Sequence, residues 1–256
     1  MSNLRILLTG LLLMSQSVQA DQLILESIEA NRARYAEMAL TIWDHAEVGY
    51  QETESSALLQ STLADAGFEI QSGVANIPTA FVASYGEGEP VIGILAEFDA
   101  LPGISQAASP AREVLEHKKA GHACGHHLFG TGSTAAAIAV KEWMAKNRVK
   151  GTIRLYGTPA EEGGSGKVYM VRAGLFEDVD TVLHWHPANR NAANPSTSLA
   201  NKSARFKFSG LSSHASAAPH RGRSALDGVE AMNYMVNLLR EHVPDRKSTR
   251  LNSSHQ

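Results

Sequence analysis

Apolar residues return at three- and four-residue spacing from Leu23 to Trp43 (Leu25, Ile28, Ala36, Ala39, Leu40, Trp43), which predicts an amphipathic helix. After a turn through Glu47-Val48-Gly49, the stretch Thr53–Ala66 predicts a second helix, stopped by Gly67. The pattern then shortens. Phe68–Val74, Thr79–Tyr85 and Val91–Glu97 predict strands, and the third is apolar at nearly every position, as a strand covered on both faces must be. A helix is expected over the alanine-rich Thr131–Asn147, with strands over Gly151–Gly157 and Asp180–His186. Ala204–Ser209 alternates like a half-exposed strand, and Ser224–Val243 reads as a helix. The fold class is therefore α/β, a mixed sheet flanked by helices. The Asn-, Pro-, Ser- and Thr-rich stretch Asn189–Ser198 marks a boundary. Residues 21–195 are assigned to one domain and residues 196–244 to the start of a smaller one.

Two stretches stand apart from this pattern. Met1–Ala20 has Arg5, an apolar core from Ile6 to Met14, and a polar end closing on Val18-Gln19-Ala20. That is the layout of a secretory signal peptide, so cleavage after Ala20 and a periplasmic or secreted product are expected. The apolar run is too short to span a bilayer comfortably, so no membrane attachment is expected after cleavage. At the other end, Asp245–His255 reads DRKSTRLNSSH, basic and polar, in the style of a translated sequencing adaptor. Native sequence is expected to stop near Pro244, with the natural protein continuing beyond it and residues 245–256 forming a non-native tail.

Composition narrows the function. The 256 residues are 43% hydrophobic and 19% charged, with a net charge of −3, a globular balance that excludes a broad nucleic-acid-binding face. Cys124 is the single cysteine, so its use is ligation or reactivity, not cross-linking.

Cys124 lies in the most unusual stretch of the chain, GHACGHHLFG from Gly121 to Gly130. Thiolate and imidazole are good ligands for zinc-like ions, and glycines allow the tight turn that would aim them at one point. The apolar run Val91–Glu97 leads into Glu97 and Asp99, and the strand Gly151–Gly157 leads into Glu161 and Glu162. Vicinal carboxylates are costly unless a cation or a proton offsets their repulsion. The strand ending at His186 carries His184 and His186 on one face. Strand ends are where open α/β sheets gather ligands. Carboxylates, imidazoles and one thiolate suit two divalent ions, which can activate water and polarise a carbonyl while one carboxylate acts as base. The inventory is that of a hydrolase for amides or esters. No G-x-S-x-G elbow occurs, a zinc deaminase would need a P-C-x-x-C partner that a chain with one cysteine cannot supply, and Gly166-Lys167 lacks the glycine of a phosphate loop.

The ordered motifs AEFDALPGISQ, GHACGHHLFGTGS, TPAEEGGSGK, HWHP, SLANKSARFKFSGLSSHA and GRSALDGVEAMN resemble the metal-dependent amidohydrolases of the aminoacylase/carboxypeptidase superfamily. Within it they resemble in particular the branch acting on aminobenzoyl-glutamate. The likeness covers roughly Ile28 to Pro244. It implies a zinc-peptidase-like catalytic domain followed by a dimerisation domain, and two divalent ions, with zinc, manganese or cobalt compatible. By position it makes Cys124, His126 and Glu162 metal ligands, with His186 fitting the next ligand better than His184. Glu161 matches the general base and Asp99 the carboxylate that orients a ligand. His214 matches a histidine that reaches the partner's active site to hold substrate or oxyanion.

The resemblance further implies a small N-acyl amino acid substrate, a homodimer and room for a second subunit. Glu97 stands where some relatives have a ligand, and its role is left open. His127 replaces an aspartate found in many relatives. His122 and His127 read as turn or orienting residues, His45 and Glu47 as flanking the first helix, and His220 and Arg221 as a solvated loop. Indole-acyl or benzoyl amino acids and peptides are alternative substrates. An inactive metal-binding fragment is the alternative to an enzyme, because the family fold continues and supplies a later histidine ligand.

Overall fold

The computed structural model describes residues 22–193, 197 and 202–242. The expected signal peptide and non-native tail lie outside these residues. The chain divides between Arg190 and Asn191 into two compact units.

In the first unit, helix α1 covers residues 22–30 and α2 covers Arg32–His45. Helix α3 runs Thr53–Asp65. Its exposed N-terminal amides are met by Glu47, whose carboxylate accepts from Glu54 N at 2.9 Å and from Ser55 N at 2.8 Å. Glu47 therefore caps the helix that follows it, satisfying donors that a helix start leaves orphaned. The strands are β1 Glu69–Ser72, β2 Phe81–Glu87 and β3 Val91–Ala96. The short pair β4 Leu101–Pro102 and β5 Ala120–Gly121 follows. Next come α4 His126–Asn147, β6 Gly151–Gly157, a brief turn α5 Glu161–Gly164, α6 Gly166–Arg172 and β7 Thr181–Leu183.

The main sheet has the order β1-β2-β6-β3-β7. β1, β2 and β6 pair antiparallel, whereas β6, β3 and β7 are parallel. Side-chain alternation feeds two cores. Phe81, Ala83, Ile153 and Leu155 face α2, α3 and α4 through Ile42, Leu59, Leu63 and Ile138. Val82, Leu95 and Tyr156 face the other way, onto Phe129, Met170 and Ile77. Covering both faces explains the nearly continuous apolar run in β3. The parallel trio also sends the carboxyl ends of β3, β6 and β7 to one edge, where this architecture binds ligands.

Beyond shifts of a few residues at other element ends and a break at Asn31 in the first expected helix, three differences from the expected elements stand out. α4 starts at His126, not Thr131, so the second half of the stretch read as a turn is already helix, while residues 122–125 hold the turn. β7 stops at Leu183 because it pairs only with β3, as far as Ile94↔Leu183, before the chain bends toward the site. The strand expected over Ala204–Ser209 is absent. That segment lies in the second unit, where Phe208 packs close to Gly228 and no described strand offers an edge to pair with. The same unit holds α7, Ala225–Leu239, with the Ser224 hydroxyl accepting from Asp227 N at its start. A single bridge joins Leu211 to Arg223.

Candidate metal centre

Gly125 precedes α4 with φ +81°, and a Cβ there would sit 3.0 Å from the Pro187 ring. Glycine alone permits both the left-handed turn and the close approach. The result brings the end of HWHP against CGH. Cys124 Sγ lies 3.4 Å from His186 Nε2, while His186 Nδ1 donates to the Pro187 carbonyl at 2.9 Å. That bond fixes the tautomer and leaves Nε2 with a free lone pair facing the thiol.

His126 is the centre of the cluster and is fully buried. Its Nδ1 donates to Asp99, 2.9 Å from Oδ1 and 3.1 Å from the main-chain oxygen. Nε2 therefore points into the site, 3.0 Å from Glu97 Oε2 and 4.0 Å from Glu161 Oε2. Asp99 also accepts from Glu162 N through Oδ2 at 2.9 Å, so one carboxylate ties the CGH histidine to the Glu-Glu turn. Phe129, one turn further along α4, packs its ring against His184, Trp185 and His186 at 5.1, 5.4 and 6.1 Å. Trp185 Nε1 donates to Ser133 Oγ at 3.1 Å, and that hydroxyl donates to Leu95 O at 2.7 Å. The loop bearing both histidines is thereby fastened to α4 and β3.

The donor chemistry fits a cation. Cys124, His126 and His186 place one ligand atom each within 4.8 Å of one another, as do Glu97, His126 and Glu161. Because Nδ1 of His126 is taken by Asp99, both groups must draw on Nε2, and one ion at a time can use it. Among the described residues Glu162 Oε1 is buried without a hydrogen-bond partner, a cost that a coordinated ion would remove. Electrostatics agree. Burial works against a charged His126, yet the hydrogen bonds and charges of Asp99 and Glu97 outweigh it and push the imidazole up to about 10. Burial pushes the Cys124 thiol up to about 12, helped by Glu162, Glu161 and Glu97. Both groups would bind a metal with release of a proton.

Glu97 is drawn in three directions. Burial raises its pKa, but His126 and Lys167 overcome this and hold it at about 2. Lys167 Nζ is 2.5 Å from Glu97 Oε1, and His184 Nε2 is 3.6 Å from the same oxygen. Of the two histidines left open by the sequence, His186 thus joins the thiol and His184 faces Glu97. Lys167 is the residue that sequence reasoning missed, since its only signal was a phosphate-loop fragment that failed. His214 belongs to the second unit and to neither ligand group. There its Nδ1 accepts from Ala217 N and Ser216 N at 3.2 and 3.3 Å.

Residues 93–236 match the model of peptidase family M20/M25/M40. One of the subunits of the p-aminobenzoyl-glutamate hydrolase of Escherichia coli is 48% identical over 222 residues, covering 86% of this chain and 46% of that protein. The Xaa-Arg dipeptidase of Homo sapiens is 29% identical over 235 residues, covering 85% of this chain and 50% of that protein. A crystal structure from methicillin-resistant Staphylococcus aureus, described as an aminohydrolase, aligns with a TM-score of 0.62 at 24% identity. It covers 89% of this chain and 58% of that one. The chain spans about half the length of the curated relatives it matches.

Proposed function

Because the chain belongs to peptidase family M20/M25/M40, we propose that it works as a metal-dependent hydrolase of N-acyl amino acids, with aminobenzoyl-glutamate as the preferred substrate class. The observation that carries this reading is the gathering of Cys124, His126, His186, Glu97 and Glu161 at the carboxyl edge of the parallel strands. The choice of substrate is supported by the 48% identity to the Escherichia coli hydrolase subunit.

In this reading Cys124, His126, Glu162 and His186 hold two divalent ions, zinc or manganese. The ions would supply Lewis acidity toward water and toward the scissile carbonyl. Asp99 holds the His126 ring through Nδ1 and so keeps Nε2 directed at the site. The Glu161 side chain is 44% exposed, so a substrate can reach it. Its carboxylate takes the proton of the attacking water and returns it to the departing amide nitrogen. His214 of a second copy holds the developing oxyanion. Export on Met1–Ala20, a homodimer and a partner subunit, the last by likeness to a relative that is itself a subunit, complete the proposal.

The test is metal content and hydrolysis of aminobenzoyl-glutamate by the wild type and Glu161→Gln. Expected is metal bound equally in both, near two ions per chain, with kcat reduced at least about 100-fold in the variant. Full activity in Glu161→Gln would remove the base assignment. Turnover of an Xaa-Arg dipeptide instead would keep the chemistry and change the substrate.

A further inference from the structure

The turn that carries Glu161 and Glu162 is gripped from outside by residues to which the chemistry above assigns no part. After β6 the chain reverses at Ala160, a buried residue held at φ +57°, a conformation that side chains other than glycine avoid. Its peptide N–H donates to Glu52 Oε1 at 2.8 Å. Glu52 is 0% exposed, and its second oxygen accepts from Thr79 Oγ1 at 3.0 Å. At the far end of the same turn, Tyr50 Oη donates to the Gly164 carbonyl at 2.5 Å. Between these two grips, Gly49 passes so near that a Cβ on it would lie 2.9 Å from both Cα and Cβ of Ala160. Within the turn, Gly164 N returns to Ala160 O at 3.0 Å, and Glu162 N is held by Asp99.

Among the described residues Glu52 has no salt-bridge partner, and its two oxygens accept from the neutral donors Ala160 N and Thr79 Oγ1. Burial pushes its carboxyl upward, and Asp99 adds to the shift. A carboxylate kept in such a place is expensive. An apolar side chain could fill the same space, but it would leave the Ala160 amide without an acceptor.

We propose that the connector Gly49–Glu52 is a clasp that sets the position of the Glu161–Glu162 pair. Glu52 is a positioning residue that holds Ala160 left-handed, and Tyr50 fixes the other end of the turn. The inference rests on the roles given above to Glu161 and Glu162. It adds that their placement is set from the α2–α3 connector, more than one hundred residues earlier in the chain. A displacement of about 1 Å in a catalytic group can cost roughly 100-fold in rate.

The experiment compares the full chain as wild type, Glu52→Gln, Glu52→Ala and Tyr50→Phe. Cobalt(II) affinity is read from the absorption that a Cys124 thiolate gives to bound cobalt, and kcat and KM are read for aminobenzoyl-glutamate. Glutamine keeps an acceptor for Ala160 N and can donate to Thr79. Glu52→Gln should therefore stay within about threefold of the wild type, while Glu52→Ala loses roughly 10–100-fold in kcat and in cobalt affinity with KM little changed. Tyr50→Phe, at a half-exposed ring, keeps the fold and should lose about 3–10-fold in the same two readouts. If Glu52→Ala does not fold, Tyr50→Phe and Glu52→Gln still decide. Tyr50→Phe within twofold of the wild type in both readouts would overturn the clasp, as would a Glu52→Gln loss as deep as that of Glu52→Ala. Should the wild type not hydrolyse the substrate while cobalt affinity still follows the expected order, the clasp stands and the proposed reaction falls.

Discussion

His126 and His127 are neighbours on the first turn of α4, yet they live in opposite electrostatic worlds. His126 lies between Asp99 and Glu97 and is pushed up to about 10. His127 turns the other way, its ring edge-on to Trp43 at 4.7 Å and 5.3 Å from His122. There burial, then the charge of His126, holds its imidazole down to about 4. His122 is likewise held at about 4, by burial first and then by His127, while its Nε2 donates to the Ile42 carbonyl at 3.0 Å. Burial alone disfavours a charged imidazole, and burial beside two carboxylates favours it. A single residue step, about 100° around the helix, thus separates a ring poised to exchange its proton for a metal from a ring kept neutral for packing.

These opposite shifts make the stability curve two-sided, and its acid limb should be the steepest change. His122 is depressed from about 6.5 in the unfolded chain to about 4 in the fold. The stability it contributes is complete above pH 6.5 and is lost as pH falls from 6.5 through 4, because only the unfolded chain takes up the proton in that window. At about 1.4 kcal/mol per pH unit, the loss is on the order of 3 kcal/mol. His126 has the opposite sign. Its contribution in the metal-free protein is complete below pH 6.5 and declines as pH rises toward about 10. Urea unfolding from pH 4 to 9 in the presence of a chelator measures both limbs. A His122→Asn variant as acid-sensitive as the wild type would mean that the buried His122 imidazole does not carry the acid limb.

A somewhat smaller effect is expected on the charged side. Asp99→Asn keeps the shape of the side chain but removes the charge that supports His126, and its amide can no longer serve both His126 Nδ1 and Glu162 N in the same way. Metal affinity should fall about 10–100-fold, as it does when the partner of a ligating histidine is changed. Isothermal titration with zinc or manganese measures this, and an unchanged affinity would remove Asp99 from the site.

Which parts of this site the sequence discloses depends on how local each one is. Cys124, His126, Glu161, Glu162 and His186 each stand in a short motif at the end of a strand or at a helix start, and the strands expected over Val91–Glu97, Gly151–Gly157 and Asp180–His186 lead toward the site. The positions of Glu97 and Asp99 are equally visible, but the partners of Glu97 are not. Only the packing of α4 against β3 shows that both carboxylates flank one imidazole. Lys167 reaches Glu97 from α6, the first helix beyond the Glu-Glu turn, and Glu52 reaches Ala160 across the molecule. Such contacts are set by how elements stack, and no periodicity reports them. The early start of α4 is hidden for another reason. Its first five residues hold two histidines and a glycine, and Gly125 ahead of it offers no capping side chain, so the usual markers of a helix start are missing.

The smallest expected effect is also the sharpest test of the neutral side. His127→Phe replaces a ring that packs edge-on against Trp43 with one of similar size and no nitrogen. Among the described residues its buried Nδ1 has no partner, so the substitution removes an unmet polar atom and sacrifices little packing. The change in stability at pH 7 should stay within about 1.5 kcal/mol of the wild type, as for a volume-conserving core exchange. Between pH 6.5 and 4 the variant should lose less stability than the wild type, because one of the two suppressed imidazoles is gone. His126 stays between the same carboxylates, so metal affinity should not move. A large drop in metal affinity with His127→Phe would mean that the two sides of the α4 turn are one site, with the neutral ring supporting the charged one.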